Sequence, residues 1–275
     1  MFVHCFRLLC LTLFSLMLSG INYANAAQPL RIAVSSNFAP VLKQLLPQFN
    51  QQTGITTQVI NGVTGGLYQQ IKHGAPYDIF LAADSLRPQK LAQEQLIISN
   101  SRKTYALGQL ALYSAQNPTI TWQNLASIYT NKDIISTQQK NKRLAIANPK
   151  TAPYGKAAKQ CLIKQGLWPL LKNKLIIGNN IGQTFQQVRS QAVPIGIVAY
   201  SQLKLNKLNG NLLPASCYTP INQQLVILKN TQQAKSAQLL SDFLLSKKTQ
   251  QQIAQWGYLT AHKLTISKFT DKKKQ

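Results

Sequence analysis

The chain has 275 residues, of which 45% are hydrophobic and 13% are charged, so it can bury one large core or two moderate ones. This composition excludes a disordered protein, a collagen-like repeat and a small disulfide-stapled protein. The 30 Lys and Arg residues against 6 Asp and Glu residues give a net charge of +24, which raises the question of an acidic partner. So few carboxylates argue against a glycosidase-type carboxylate pair or a carboxylate metal cage.

The first 26 residues differ in character from the rest. Arg7 precedes an apolar stretch over 8–18 that is too short to span a bilayer. Ala24-Asn25-Ala26 then has the small-x-small pattern that a signal peptidase accepts. We therefore predict a signal peptide over residues 1–26, cleaved after Ala26, and a periplasmic location for the mature protein.

Short β-rich runs and amphipathic segments alternate along the rest of the chain. The predicted strands are 30–34, 55–60, 78–82, 144–147, 175–177 and 195–199. The predicted helices are 65–72, 155–165, 184–189 and one in which Val41, Leu42, Leu45, Leu46 and Phe49 recur at helical spacing. This alternation predicts an α/β fold with mostly parallel sheets flanked by helices.

Two β-rich runs, 105–114 and 224–229, interrupt this rhythm, and helices over 234–245 and 249–256 close the chain. If both runs cross between lobes, 27–112 forms the first part of lobe 1, 113–219 forms lobe 2, and 220–262 returns to lobe 1. Residues 263–275 are rich in lysine and predict a basic tail. This topology is typical of a hinged two-lobe binding protein with its ligand cleft between the lobes.

Cys161 and Cys217 are the two cysteines that remain after the predicted cleavage. Their even number in an oxidising compartment favours a structural disulfide between them, with two buried free thiols as the alternative. A catalytic thiol is disfavoured, since the mature chain contains only His73 and His262 and neither lies in a nucleophile motif.

Four predicted strand-to-helix junctions carry small, hydroxyl or amide side chains. They are Ser35–Phe38, Asn61–Gly66, Asn148–Gly155 and Gly178–Ile181. Each junction taken singly is more typical of an ordinary helix N-cap. Together, however, four helix starts that face one cleft would offer neutral donors suited to a fully ionised anion.

Several motifs around these junctions occur in the order found in a known family. The motifs are Ala33–Phe38, Gly65 with Gln70–Asp84, Ala147–Gly155, Asn180-Ile181, Gly196–Ala199 and Trp256–Tyr258. Over about residues 32–258 the chain resembles the periplasmic molybdate-binding proteins that supply molybdenum ABC transporters. The resemblance implies the two-lobe fold of type II periplasmic binding proteins.

The resemblance also implies a set of oxyanion contacts, which fall on Ser36, Asn37, Thr64, Tyr154 and Ile181. Ile181 would contribute a backbone N–H. Two points stay open. The serine donor of the first loop is either Ser35 or Ser36, and the position of a tyrosine hydroxyl used by some relatives is occupied here by Ala199, followed by Tyr200.

The residues themselves favour an oxyanion without a proton, because no acid lies in the four junctions and a carboxylate acceptor would instead select hydrogen phosphate. Asp78 and Asp84 flank the third strand and are assigned to turn and cap formation. We predict a monomer, neither an enzyme nor a nucleic-acid binder and without a cofactor, that captures molybdate or tungstate for the membrane permease of an ABC importer. The alternatives are another oxyanion, such as sulfate, or a secreted polyanion binder.

Overall fold

Residues 28–130 and 143–260 are described by the computed structural model, in which they form two lobes, each built on its own five-stranded sheet. The predicted signal peptide (1–26) and basic tail (263–275) lie outside the described residues. Within these ranges, no helix has both the length and the apolar character needed to span a membrane.

Lobe 1 is built on five strands in the order β2-β1-β3-β10-β4, in which only β10 runs against its neighbours. The strands are β1 (Leu30–Ser35), β2 (Thr57–Gly62), β3 (Ile79–Leu81), β4 (Lys103–Gly108) and β10 (Ile221–Ile227). Helices α1 (Ala39–Thr53), α9 (Ala234–Leu245) and α10 (Lys247–Gln255) pack on one face of this sheet. Helices α2 (Thr64–Lys72) and α3 (Leu86–Gln93) pack on the other face.

Lobe 2 repeats this arrangement with the strand order β7-β6-β8-β5-β9. The strands are β5 (Leu110–Tyr113), β6 (Leu144–Ala147), β7 (Leu175–Gly178), β8 (Ile195–Ala199) and β9 (Asn211–Leu212). Helices α4 (Leu125–Thr130), α5 (Pro153–Lys164) and α6 (Trp168–Leu171) cover one face, and α7 (Ile181–Arg189) and α8 (Tyr200–Leu205) cover the other. The predicted two-lobe α/β fold is confirmed. Both sheets are mixed, because in each of them four strands run in one direction and one strand, β10 or β5, runs against them.

Helix α1 shows how the sequence pattern becomes packing. The five apolar residues at helical spacing between Val41 and Phe49 are all buried against the sheet of lobe 1. A proline lies in the first turn, where a missing N–H costs no hydrogen bond. The helix ends at Gly54, whose φ of 70° is the left-handed conformation that glycine adopts without steric cost.

The chain crosses between the lobes at Gln109 and again just before Ile221. The run 105–114, predicted as one β segment, is two strands: β4 belongs to lobe 1 and β5 pairs with β8 in lobe 2. The boundary expected after residue 112 therefore falls inside β5. The pattern did not reveal this break because both halves of the run are apolar and buried. Four helices, α3, α4, α6 and α8, were not predicted, since each is short and lacks a long apolar repeat.

A disulfide joins Cys161 on α5 to Cys217, with their Cα atoms 4.6 Å apart. Both side chains are buried in the core of lobe 2. Cys217 lies just before the second crossing, so the bridge ties the segment that enters β10 to the helix that begins at Pro153.

We expect the Cys161→Ala and Cys217→Ala double variant to lose about 4 kcal/mol of unfolding free energy, because the bridge closes a loop across a sequence separation of 56 residues. Urea unfolding of protein that was never exposed to reductant measures this loss. Peptide mapping without reduction provides the control, and two free thiols in the wild-type protein would contradict the prediction.

Candidate functional site

A small cavity lies between the lobes, at the carboxyl ends of β1, β2, β3 and β6 and at the start of α7. It is lined by Ser35, Ser36, Asn37, Val63, Thr64, Ala83, Ala152, Pro153, Tyr154 and Ile181. All five residues predicted to contact an oxyanion are in this set, and they come from both lobes. None of these lining side chains carries a formal charge.

Backbone N–H groups without protein partners also border this cavity. In the described part of the chain, no hydrogen bond is made by the backbone N–H of Thr64, Tyr154 or Ile181, which lie in the first turns of α2, α5 and α7. The N–H of Asn37, in the loop before α1, is likewise unpaired among the described residues. Such first-turn groups are typical donors to anions, because the helix provides no acceptor for them.

The two neighbouring serines of the first loop have different roles. Ser35 Oγ lies 2.8 Å from Thr64 Oγ1 and accepts a hydrogen bond of 3.0 Å from the backbone N of Ala83. The Ser36 hydroxyl has no hydrogen-bond partner among the described residues, although the residue is only 7% exposed. Ser36 therefore keeps a free donor at the cavity, while the Ser35 hydroxyl is used within the protein.

Gln223 connects the two lobes behind the cavity. Its side chain is fully buried on β10, and its Oε1 accepts hydrogen bonds from Asn37 Nδ2 at 2.8 Å and from the Tyr105 hydroxyl at 3.1 Å. Its Nε2 donates to the Tyr154 hydroxyl of lobe 2 at 3.1 Å. A methyl group on Gly108, at the first crossing, would lie 2.9 Å from that Nε2, so glycine allows this close approach.

Tyr258 extends the same network. Its hydroxyl accepts from Asn37 Nδ2 (3.1 Å) and from the Ser201 hydroxyl of α8 (3.1 Å), and it donates to Asn37 O (2.9 Å). Burial raises the pKa of Tyr258 to about 12 and the pKa of Tyr154 well above its ordinary value. Both phenols are therefore neutral at physiological pH, and no phenolate charge develops beside the cavity.

The lobes also meet on the other side of the cavity. The backbone N–H of Gly65 donates to Thr151 O at 3.1 Å, and a methyl group on Gly65 would lie 3.0 Å from that oxygen. Glycine at this position thus lets α2 approach the loop before α5. Nearby, Arg87 forms an ion pair with Asp84, and its Nη2 donates to Lys150 O across the cleft at 3.5 Å.

The structure places the other candidates of the sequence outside this site. Neither Ala199 nor Tyr200 is among the cavity-lining residues, and their backbone N–H groups donate to Gln202 Oε1 at 3.0 Å and Gln109 O at 2.9 Å. Asp78 accepts from the backbone N of Arg31 at 2.7 Å, a local structural contact. Asp84 accepts from the backbone N of Arg87 at 3.0 Å, as a cap does.

Sequence reasoning missed Gln223 and the part that Tyr258 plays. A signal was present for Gln223, because it alternates with Ile221 and Leu225 and is thus a polar residue on the core-facing side of β10. A buried amide at such a position must find hydrogen-bond partners in the protein. The side-chain nitrogen of Asn37 is engaged by Gln223 and Tyr258, so its backbone N–H is the donor of this residue that lacks a partner among the described residues.

Comparison with known proteins supports a binding function. Residues 30–259 match the family model for bacterial extracellular solute-binding proteins. The molybdate-binding protein ModA of Azotobacter vinelandii is 40% identical over 239 residues, covering 86% of this chain and 91% of that protein. ModA of Rhodobacter capsulatus is 34% identical over 246 residues, covering 89% and 93%.

A solved structure agrees with these relatives. The periplasmic molybdate-binding protein of Azotobacter vinelandii superimposes with a TM-score of 0.76 at 33% sequence identity. The match covers 84% of this chain and 98% of that one. The likeness therefore extends over both lobes.

We expect Gln223→Leu to lower the unfolding free energy by about 3 kcal/mol, because the partners of the amide lose hydrogen bonds in a buried environment. Gln224→Leu is the matched control, since this neighbour makes one long side-chain hydrogen bond, of 3.3 Å to Thr104, and should lose less than about 1 kcal/mol. Urea unfolding measures both changes. Equal losses in the two variants would show that the Gln223 network contributes nothing specific.

Proposed function

Since the chain belongs to the bacterial extracellular solute-binding protein family, we propose that it captures molybdate, and also tungstate, in the cavity between its lobes. It delivers the anion from the periplasm to the membrane permease of an ABC importer and does not transform it. The observation that carries this proposal is the cavity itself, which is lined by neutral donors from both lobes and by no charged side chain.

The oxyanion is held by hydroxyl and backbone donors. Ser36 and Thr64 supply hydroxyl groups, and Asn37, Tyr154 and Ile181 supply backbone N–H groups, to which Thr64 adds its own. The aligned dipoles of α5 and α7 add positive potential at the same point. A tetrahedral dianion accepts from all of these groups through its four oxygens, which matches a site rich in neutral donors and without a carboxylate.

The donor set also determines what is rejected. Hydrogen phosphate carries a proton that needs an acceptor, and the cavity side chains include no carboxylate. Sulfate is the second candidate, since it has the same charge and shape as molybdate and differs in size. Discrimination between these two dianions depends on how closely the donors of the two lobes approach each other.

Two cationic side chains lie in a groove next to the cavity. Lys156 and the ion pair of Arg87 with Asp84 line a groove between the lobes that is continuous with the cavity lining and carries one net positive charge. Cations at this position attract a dianion over long range and speed association, while the short contacts inside remain those of neutral dipoles.

Calorimetric titration of ligand-free protein tests the proposal. We expect one-to-one binding of molybdate and tungstate, with a rise in melting temperature that follows mass action. Sulfate should bind more weakly and phosphate should not bind. Equal stabilisation by phosphate, or binding of sulfate in clear preference to molybdate, would contradict the assignment.

Affinity should be nearly independent of pH between pH 6 and 9, with Kd changing by less than about twofold. Tyr154 is the titratable residue of the cavity lining, and burial raises its pKa well above the ordinary value, so it stays neutral over this range. Molybdate is also fully deprotonated there. Titrations at several pH values measure the profile, and a steep loss of affinity would require an ionisable contact that the cavity lacks.

A further inference from the structure

We propose that Ser35 is a positioning residue that makes the Thr64 hydroxyl a hydrogen-bond donor toward the bound oxyanion and prevents it from acting as an acceptor. This inference rests on the proposed function, because it concerns the same cavity. Ser35 Oγ lies 2.8 Å from Thr64 Oγ1 and 3.0 Å from the backbone N of Ala83. Both residues are about 2% exposed, so neither hydroxyl is solvated by bulk water.

Chemistry fixes the direction of the bond from Ala83, whereas the direction of the bond between the two hydroxyls is the content of the proposal. The backbone N–H of Ala83 can only donate, so Ser35 Oγ accepts from it. The hydroxyl hydrogen of Ser35 then needs an acceptor, and among the described residues Thr64 Oγ1 is its hydrogen-bonding partner. In the reverse orientation the Ser35 hydrogen, which has no other acceptor among the described residues, would have to meet the ligand; the proposal gives that role to Thr64, whose backbone N–H also lacks a partner among the described residues.

The consequence concerns the ligand. Since Thr64 accepts from Ser35, its own hydrogen points elsewhere, and Thr64 lines the cavity. The hydrogen bonds from Ala83 to Ser35 and from Ser35 to Thr64 thus orient the Thr64 hydroxyl as a donor to the oxyanion. An oxyanion that carries a proton meets a donor at this point where it would need an acceptor, so Ser35 contributes to the rejection of hydrogen phosphate.

A double-mutant cycle on molybdate affinity tests whether Ser35 acts through Thr64. Thr64→Val removes the hydroxyl with little change in shape and should weaken binding about 10- to 100-fold, the range for a hydrogen bond to a charged group. Ser35→Ala should weaken binding several-fold to about tenfold. In the Thr64→Val background, Ser35→Ala should add less than about twofold, because the group it positions is gone.

The matched control is Ser101→Ala. Ser101 is also a buried serine of lobe 1, and its hydroxyl accepts from the backbone N of Ile227 at 3.2 Å and donates to Ile98 O at 2.6 Å. It lies outside the cavity lining. Ser101→Ala and Ser35→Ala should lower the melting temperature of ligand-free protein to a similar extent, and only Ser35→Ala should change affinity.

The preference for molybdate over phosphate gives a second measurement, which would not change if Ser35 had only a structural role. At pH 8, hydrogen phosphate and molybdate have the same charge, and the Thr64 hydroxyl of Ser35→Ala can rotate to accept from the phosphate proton. Competition titrations should show the preference for molybdate over phosphate falling at least about fivefold in Ser35→Ala and staying unchanged in Ser101→Ala.

The outcomes separate the two levels of the proposal. A wild-type protein that does not bind molybdate would overturn the proposed function and this inference together. If the wild type binds molybdate but Ser35→Ala weakens binding equally with and without the Thr64 hydroxyl, or leaves selectivity unchanged, the inference alone is overturned.

Discussion

The side-chain amide of Gln223 joins the two lobes at the point where the cavity forms. It accepts from Asn37 in lobe 1 and donates to Tyr154 in lobe 2, and no water replaces these partners because all three side chains are buried. Buried polar groups are costly when unpaired, so the network favours the relative position of the lobes in which all these bonds form. The relative position of the lobes and the placement of the candidate ligand residues therefore depend on the same hydrogen bonds.

The lining of the cavity is neutral, and cations lie outside it. Short contacts to an anion and its long-range attraction would thus come from different groups. A buried lysine or arginine at the ligand would lose much of its hydration, whereas backbone N–H groups at helix starts are already unpaired. The cations of Arg87 and Lys156 stay in a groove beside the cavity. Buried phenols at Tyr154 and Tyr258 can lie near an anion, because burial keeps their pKa values high and their hydroxyls neutral.

The accuracy of the sequence predictions followed the strength of the local pattern. The strands 144–147 and 195–199 and the helix 234–245 were predicted with the bounds that the structure has, because continuous apolar runs and regular apolar repeats mark them. The run 105–114 was not divided at Gln109, since a crossing between two buried strands leaves no polar gap in the sequence. The start of β10 was placed late, because its two glutamines conceal a buried strand.

The sequence by itself determined the alternation of strands and helices, the excess of basic residues and the identity of the residues at the strand-to-helix junctions, since these depend on local composition and order. That Ser36, Thr64, Tyr154 and Ile181 line one cavity depends on which strands are neighbours and where the chain crosses between lobes. Tertiary structure alone decided that Ser35 bonds to Thr64 and that Gln223 bonds to Tyr154, across 29 and 69 residues of sequence. The physical reason is that a hydrogen bond requires two atoms within about 3 Å, and such proximity between distant segments is produced only by packing.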